Sequence, residues 1–168
     1  NKIGQRVAII SVQAGPSIIL TDLVVRSGLK MAAFSDETQK RINSLIPPMT
    51  MRTNPVDAVF LPPPRNLKPL VTAMNDDPGI DVVIIFSLVT TSSLLEPMLN
   101  DLKKTACNST KQLIFCTDSP DAHMLGALHE LIDHGLAVYT SPFRAVAALK
   151  NAYALEKIRE SATVRNSF

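Results

Sequence analysis

The chain has 168 residues, 46% of them hydrophobic and 19% charged, with a formal net charge of +2. That length suits one globular domain with a short tail, and the apolar fraction excludes a disordered chain. The near-neutral balance gives no polybasic footprint for nucleic acid or an anionic membrane; no apolar run reaches the roughly 18 residues needed to cross a bilayer.

The first apolar run, Arg6 to Val12, reads as a buried strand, and Asn1 stands directly before it, as expected for a piece of something larger. The N-terminus lacks the charged, apolar and small-residue order of a signal peptide, so a cytoplasmic location is the expectation. A small-residue turn, Ala14-Gly15-Pro16-Ser17, leads to a helical pattern from Ile18 to Ser27. A strand, such a turn and a helix with proline in its first turn aim free backbone N–H groups at one point, which suits a phosphate or another anion. The same residues also serve as a plain strand-to-helix connection. Neither G-x-G-x-x-G nor a Walker Gly-Lys-Ser/Thr is present, so only backbone geometry is on offer.

Further strand runs follow at Leu29–Phe34, Asp81–Leu88, Lys111–Thr117 and Leu136–Tyr139. Between them lie helical patterns at Asp36–Leu45, Asn66–Asn75, Leu94–Lys104, Asp121–His134 and Arg144–Ile158. Gly28 and Gly135 close helices, Ser35 caps one, and Ser119-Pro120 and Ser141-Pro142 open two more. This alternation predicts an α/β fold, a flavodoxin-like, doubly wound, five-stranded parallel sheet of order 2-1-3-4-5 in three α/β/α layers. The domain is expected over residues 1–159, with 160–168 a polar tail or linker. The ligand crevice would lie beyond the carboxyl ends of the first and third strands, where the Gly15 turn stands.

The segment from Ile46 to Arg65 holds prolines at 47, 48, 55, 62, 63 and 64 and reads as an irregular functional or interface loop. Within it, Asn54-Pro55-Val56-Asp57 reads first as a rigid turn whose Asx side chain bonds nearby backbone, and second as placing Asn54 and Asp57 at the crevice mouth. His123, His129 and His134 are spaced by six and five residues, which does not stack metal ligands on one helical face; no metal site is expected. Cys116 reads as a buried structural thiol. Asp76, Asp77 and Asp81 cluster at a helix end and strand entry, away from the crevice, and no nucleophile elbow is present.

Taken together, Gly4 to Ile10, Ala14-Gly15-Pro16, Gly28 to Leu45, Leu45-Ile46-Pro47-Pro48, Asn54-Pro55-Val56-Asp57, Asp77 to Val83, Gly135 to Tyr139 and Ser141 to Val146 form an ordered set. It resembles the third domain of the α-type half of NDP-forming acyl-CoA synthetases, relatives of succinyl-CoA synthetase. The resemblance covers the chain to about Arg159. It implies an acid-thiol ligase that couples an acyl-CoA thioester to phosphate and a nucleoside diphosphate through a phosphohistidine. It also implies partners: a CoA-binding domain, a phosphohistidine-bearing domain and an ATP-grasp domain or subunit, with CoA, ATP/ADP and Mg used by the full enzyme. No catalytic residue is expected in this chain, no cofactor is bound by the domain alone, and the isolated chain is expected to be inactive. By resemblance, Gly15, Pro16, Ser17 and Ile18 present a helix N-terminus to the phosphorylated histidine. Ala14 and Ser17 stand where the family's turn carries glycine, which keeps an alternative in play: a non-catalytic interaction domain with a degenerate phosphate turn.

Overall fold

A computed structural model describes residues 3–58, 67–87, 92–118 and 122–165. The expected strand end at Leu88, the prolines at 62, 63 and 64, Asn66, the Ser119-Pro120 pair, Asp121 and the last three tail residues lie outside them.

The elements run β1 (Arg6–Ser11), α1 (Ala14–Arg26), β2 (Lys30–Met31), α2 (Asp36–Leu45), β3 (Val56–Asp57), α3 (Lys68–Asp76), β4 (Val82–Phe86), α4 (Ser92–Cys107), β5 (Gln112–Cys116), α5 (Ala122–Asp133), β6 (Ala137–Tyr139) and α6 (Pro142–Arg165). The strands are parallel and ordered β2-β1-β4-β5-β6. This is the expected doubly wound path, with one strand added: β3 pairs β1 outside it.

Alternation along the central strands explains the three layers. Val7, Ile9, Val82, Ile84, Phe86, Ile114 and Cys116 face one way and pack with Leu20 and Val24 of α1 and Val146 and Leu149 of α6. Ala8, Ile10, Val83, Ile85, Leu113 and Phe115 face the other way and pack with Ile42 of α2, Leu70 and Met74 of α3, Leu102 of α4 and Leu131 of α5. Strands buried on both faces must be apolar at successive positions, which is how these runs read in the sequence.

Helix punctuation is local. Ser35 accepts a hydrogen bond from the Thr38 N–H and caps α2. Gly28 closes α1 at a φ of 76°, where a Cβ would be strained, while the Leu29 N–H reaches back to the Val24 carbonyl. At its far end α6 continues to Arg165, past the expected stop at Ile158. The hydroxyls of Ser161 and Thr163 bond back to the carbonyls of Lys157 and Arg159, so polar residues that read as a tail sit on an exposed helical surface.

The irregular loop is corrected by β3. Beside β1 the partner changes: Arg6 and Val7 pair with Lys30 and Met31, whereas Ile10 and Ser11 pair with Val56 and Asp57. Two residues after a proline give almost no strand periodicity, and pairing to the exit of β1 makes them a strand.

Candidate functional site

The carboxyl ends of β1 and β4 mark the switch point, because the chain leaves β1 toward β2 and leaves β4 toward β5. There the Val12 N–H still bonds the Phe86 carbonyl at 3.2 Å, and Ser11 folds the exit. The Ser11 hydroxyl donates to the Gln13 carbonyl at 2.5 Å and accepts from the Gln13 N–H at 3.1 Å. Gln13 has extended geometry and caps α1 without its side chain.

The helix therefore begins at Ala14, not at Ile18. Helical geometry leaves the first-turn donors without intrahelical partners, and Pro16 has no N–H, so the amides of Ala14 and Gly15 point outward from the helix end. Both residues are exposed, and a Cβ built at Gly15 meets nothing within 4 Å beyond its chain neighbours and its own helix backbone. No acidic residue sits in this first turn to compete for the dipole.

Ser17 is fully buried and its hydroxyl donates to the Ala14 carbonyl at 2.6 Å, which turns it away from the helix end. Ile18 lies one full turn into the helix, where an amide bonds the carbonyl four residues back, while its side chain is exposed. Of the four residues singled out by sequence, Gly15 thus offers an amide and Pro16 sets the backbone. Ala14, which the sequence places in the same turn, offers the second outward amide, and Ser11 folds the exit that sets it there.

Asn54 follows its first reading, but across the sheet instead of locally. Its side-chain oxygen accepts from the Ile9 N–H at 2.9 Å, and its amide nitrogen donates to the carbonyls of Val7 at 2.7 Å and Ala32 at 3.0 Å. It fills the seam that opens where β1 changes partner from β2 to β3, and the Asn54–Pro55 peptide bond is cis. Asp57 lies in β3 opposite Ser11, and its N–H bonds the Met51 carbonyl at 2.9 Å.

The remaining titratable groups belong to structure. Asp81 takes the Arg6 backbone N–H and guanidinium, with contacts at 2.9, 2.9 and 2.6 Å, and the Arg6 hydrogen bond holds its carboxyl below the usual range. Burial pushes Asp77 up, but donors from Ser35, Thr38 and Gly79 outweigh it and hold the carboxyl below normal. Lys111 donates to the carbonyls of Asp77 and Ile80, and burial lowers its pKa. Cys116 is buried as expected, its thiol pushed up to about 12 by burial and then by Asp118. His129 and His134 are exposed, and His123 has no described side chain. The described residues gather no group of three or more His, Cys, Asp or Glu suited to a metal. No described helix is long and apolar enough to cross a membrane.

Comparison with known proteins places the chain in a family. The alpha subunit of acetate–CoA ligase [ADP-forming] II from Pyrococcus furiosus is 30% identical over 94 residues, 56% of this chain and 21% of that protein. Acetate–CoA ligase [ADP-forming] II from Archaeoglobus fulgidus is 27% identical over 152 residues, 87% of this chain and 22% of that protein. The fold is shared with the crystal structure of PH0766 from Pyrococcus horikoshii OT3, at a TM-score of 0.76 and 23% identity, over 89% of this chain and 35% of that one. It is shared too with the dinucleotide forming acetyl-coenzyme A synthetase 1 of Ca. Korarchaeum cryptofilum in complex with phosphate and ADP, at 0.73 and 19%, over 91% and 34% of the two chains. The chain thus spans about a fifth of the curated relatives and about a third of the solved ones. Residues 7–162 match the Ligase-CoA domain, and on that match the chain belongs to the Ligase-CoA domain family, homologous to ADP-forming acetyl-CoA synthetase subunits.

Proposed function

We propose that this chain serves as a domain of an NDP-forming acyl-CoA synthetase, where it receives the phosphohistidine-bearing domain and stabilises the phosphoryl group at the start of α1. The observation that carries the reading is the pair of outward amides at Ala14 and Gly15, in open space at the switch point of the sheet. A helix N-terminus carries about half a positive charge and its free N–H groups donate directly to an oxyanion. The contribution is electrostatic: the chain supplies fixed donors where charge resides during transfer, and no acid, base or nucleophile of its own. CoA, the nucleotide and Mg are assigned to the other domains of the full enzyme, as the family resemblance implies. Within this reading the isolated chain does not turn over, and its partners are the CoA-binding, phosphohistidine-bearing and ATP-grasp domains.

A second reading is favoured by one observation. The Ser17 hydroxyl is committed to the Ala14 carbonyl, so only two donors face outward, as in an interaction domain whose phosphate turn has degenerated. Gly15→Asp in the complete synthetase separates the two. An added side chain has room, and an acid in the first turn favours the helix by about 0.3–1 kcal/mol, so the fold survives. Phosphoryl transfer should fall at least tenfold under the first reading. An unchanged rate would establish the second.

A further inference from the structure

Helix α6 carries apolar residues on two opposite sides. Ala145, Val146 and Leu149 are buried against the sheet and α1, and Tyr153 packs beside them. On the other side Phe143, Ala147, Ala154, Ile158 and Ala162 are all exposed, Phe143 at 63% and Ile158 at 65%. At 3.6 residues per turn these five fall within an arc of about 100° and run for roughly 28 Å along the helix. One apolar stripe suits a helix covered on one side, and two opposite stripes suit a helix covered on both. Exposed apolar side chains in a row of this length mark an interface.

Cations border the outer stripe on both edges. Arg144 and Arg159 lie along one edge, Lys150 and Lys157 along the other, and all four are exposed. The two acids of α6, Glu156 and Glu160, fall on its sheet side and are half-buried. Lys157 stands 3.6 Å from Glu160 and 5.7 Å from the centre of the Tyr153 ring. Arg144, Lys150 and Arg159 form no ion pair among the described residues, and on α1 alongside, Asp22 is already paired with Arg26.

We propose that the outward face of α6 docks an acidic amphipathic helix of a partner protein, with apolar side chains along one stripe and Asp or Glu along its edges. Charge complementarity selects this occupant, since an apolar stripe between two rows of cations attracts carboxylates and repels other cations. A second copy of the chain fits poorly. Packed antiparallel, two such stripes would set Phe143 against Ile158 but bring both Lys150 side chains together at the dyad; packed parallel, each cation would meet its own kind. A lipid surface fits poorly too. Three of the five stripe residues are alanine, which adds little to membrane partitioning and leaves gaps that the larger side chains of another helix can fill. The inference does not depend on the anion seat at Ala14 and Gly15.

The test is binding of a fluorescein-labelled helical peptide of three heptads, with leucine at its core positions and glutamate at the flanking ones, read by fluorescence anisotropy against this chain. Saturable binding is expected. It should weaken about tenfold or more in Ile158→Glu, in the double variant Lys150→Glu and Arg159→Glu, and when lysine replaces glutamate in the peptide. The substituted positions are exposed, and the peptide exchange needs no variant, so the charge requirement is read whatever a substitution does to the fold. Lys40→Glu, exposed on α2 across the sheet, makes the same change of charge away from α6 and should bind as the unaltered chain does. Absence of saturable binding, equal affinity for the two peptides, or an equal loss in Lys40→Glu overturns the proposal. So does a mass in solution that grows with concentration and returns to the monomer in Ile158→Glu, which assigns the face to a second copy. Binding to phosphatidylglycerol vesicles that Ile158→Glu abolishes, without peptide binding, overturns it in favour of a lipid surface.

Discussion

The two ends of β1 handle polar groups in opposite ways. At the amino end, Arg6 is locked to Asp81, Asp77 collects donors from Ser35 and Gly79, and Lys111 donates to the Asp77 and Ile80 carbonyls. At the carboxyl end, Ser11 and Ser17 turn their hydroxyls inward and leave the amides of Ala14 and Gly15 facing out. Internal pairing is how a fold satisfies buried polar groups. Donors left aimed at open space contribute nothing to folding, and they stand where α/β sheets bind ligands. The contrast separates residues whose polar groups hold the domain together from those whose donors are left available.

Substitutions along β1 should divide along the same line. The largest loss of stability is expected for Asn54→Ala, which strands the Ile9 N–H and removes donors from the Val7 and Ala32 carbonyls. It should cost about 3 kcal/mol, read as a lower urea midpoint. Next comes Gly4→Ala, whose Cβ would lie 2.3 Å from the Asp81 carboxylate and push it off Arg6; about 1–2 kcal/mol is expected in the same assay. Asp81→Asn should cost about 1 kcal/mol, since Arg6 is partly exposed and the pair is screened. Acid sharpens that comparison. The folded carboxyls of Asp77 and Asp81 sit below their ordinary values, so their stabilisation is complete above about pH 4 and is lost as the pH falls through the lowered folded values. Urea midpoints measured from about pH 6 to about pH 2.5 should therefore drop steeply below about pH 4, and less steeply in Asp81→Asn. Gly15→Asp at the other end should change stability least, by under about 1 kcal/mol, while affecting phosphoryl transfer most. A large stability loss there would break the comparison.

The layer order and core were legible because burial on both sheet faces writes itself as continuous β-branched runs such as Val82-Val83-Ile84-Ile85, and because Gly28 and Ser35 mark helix ends chemically. Long-range polar contacts were not legible. Asn54 meets backbone 45 and 47 residues away in β1, and no local pattern announces that reach. The apolar pattern alone places the start of α1 late, at Ile18, although Pro16 already reads as first-turn. Ala14-Gly15-Pro16 reads as a turn by composition, yet proline in the first turn of a helix costs no hydrogen bond, so the strand exit folded by Ser11 decides where the helix begins.

The split partner of β1 has a consequence for how this domain can associate. On one side of the sheet β2 and β3 are each two residues long and meet β1 at different heights, and on the other side β6 has three residues. Such short margins give an incoming extended chain little backbone to template on, so strand-to-strand addition and fibril-like growth are disfavoured along these margins. Contact with other proteins is left to helix and loop surfaces, where Ile18 and Val25 of α1, Ile132 of α5, Phe143 and Ile158 of α6 and Met49 before β3 are exposed.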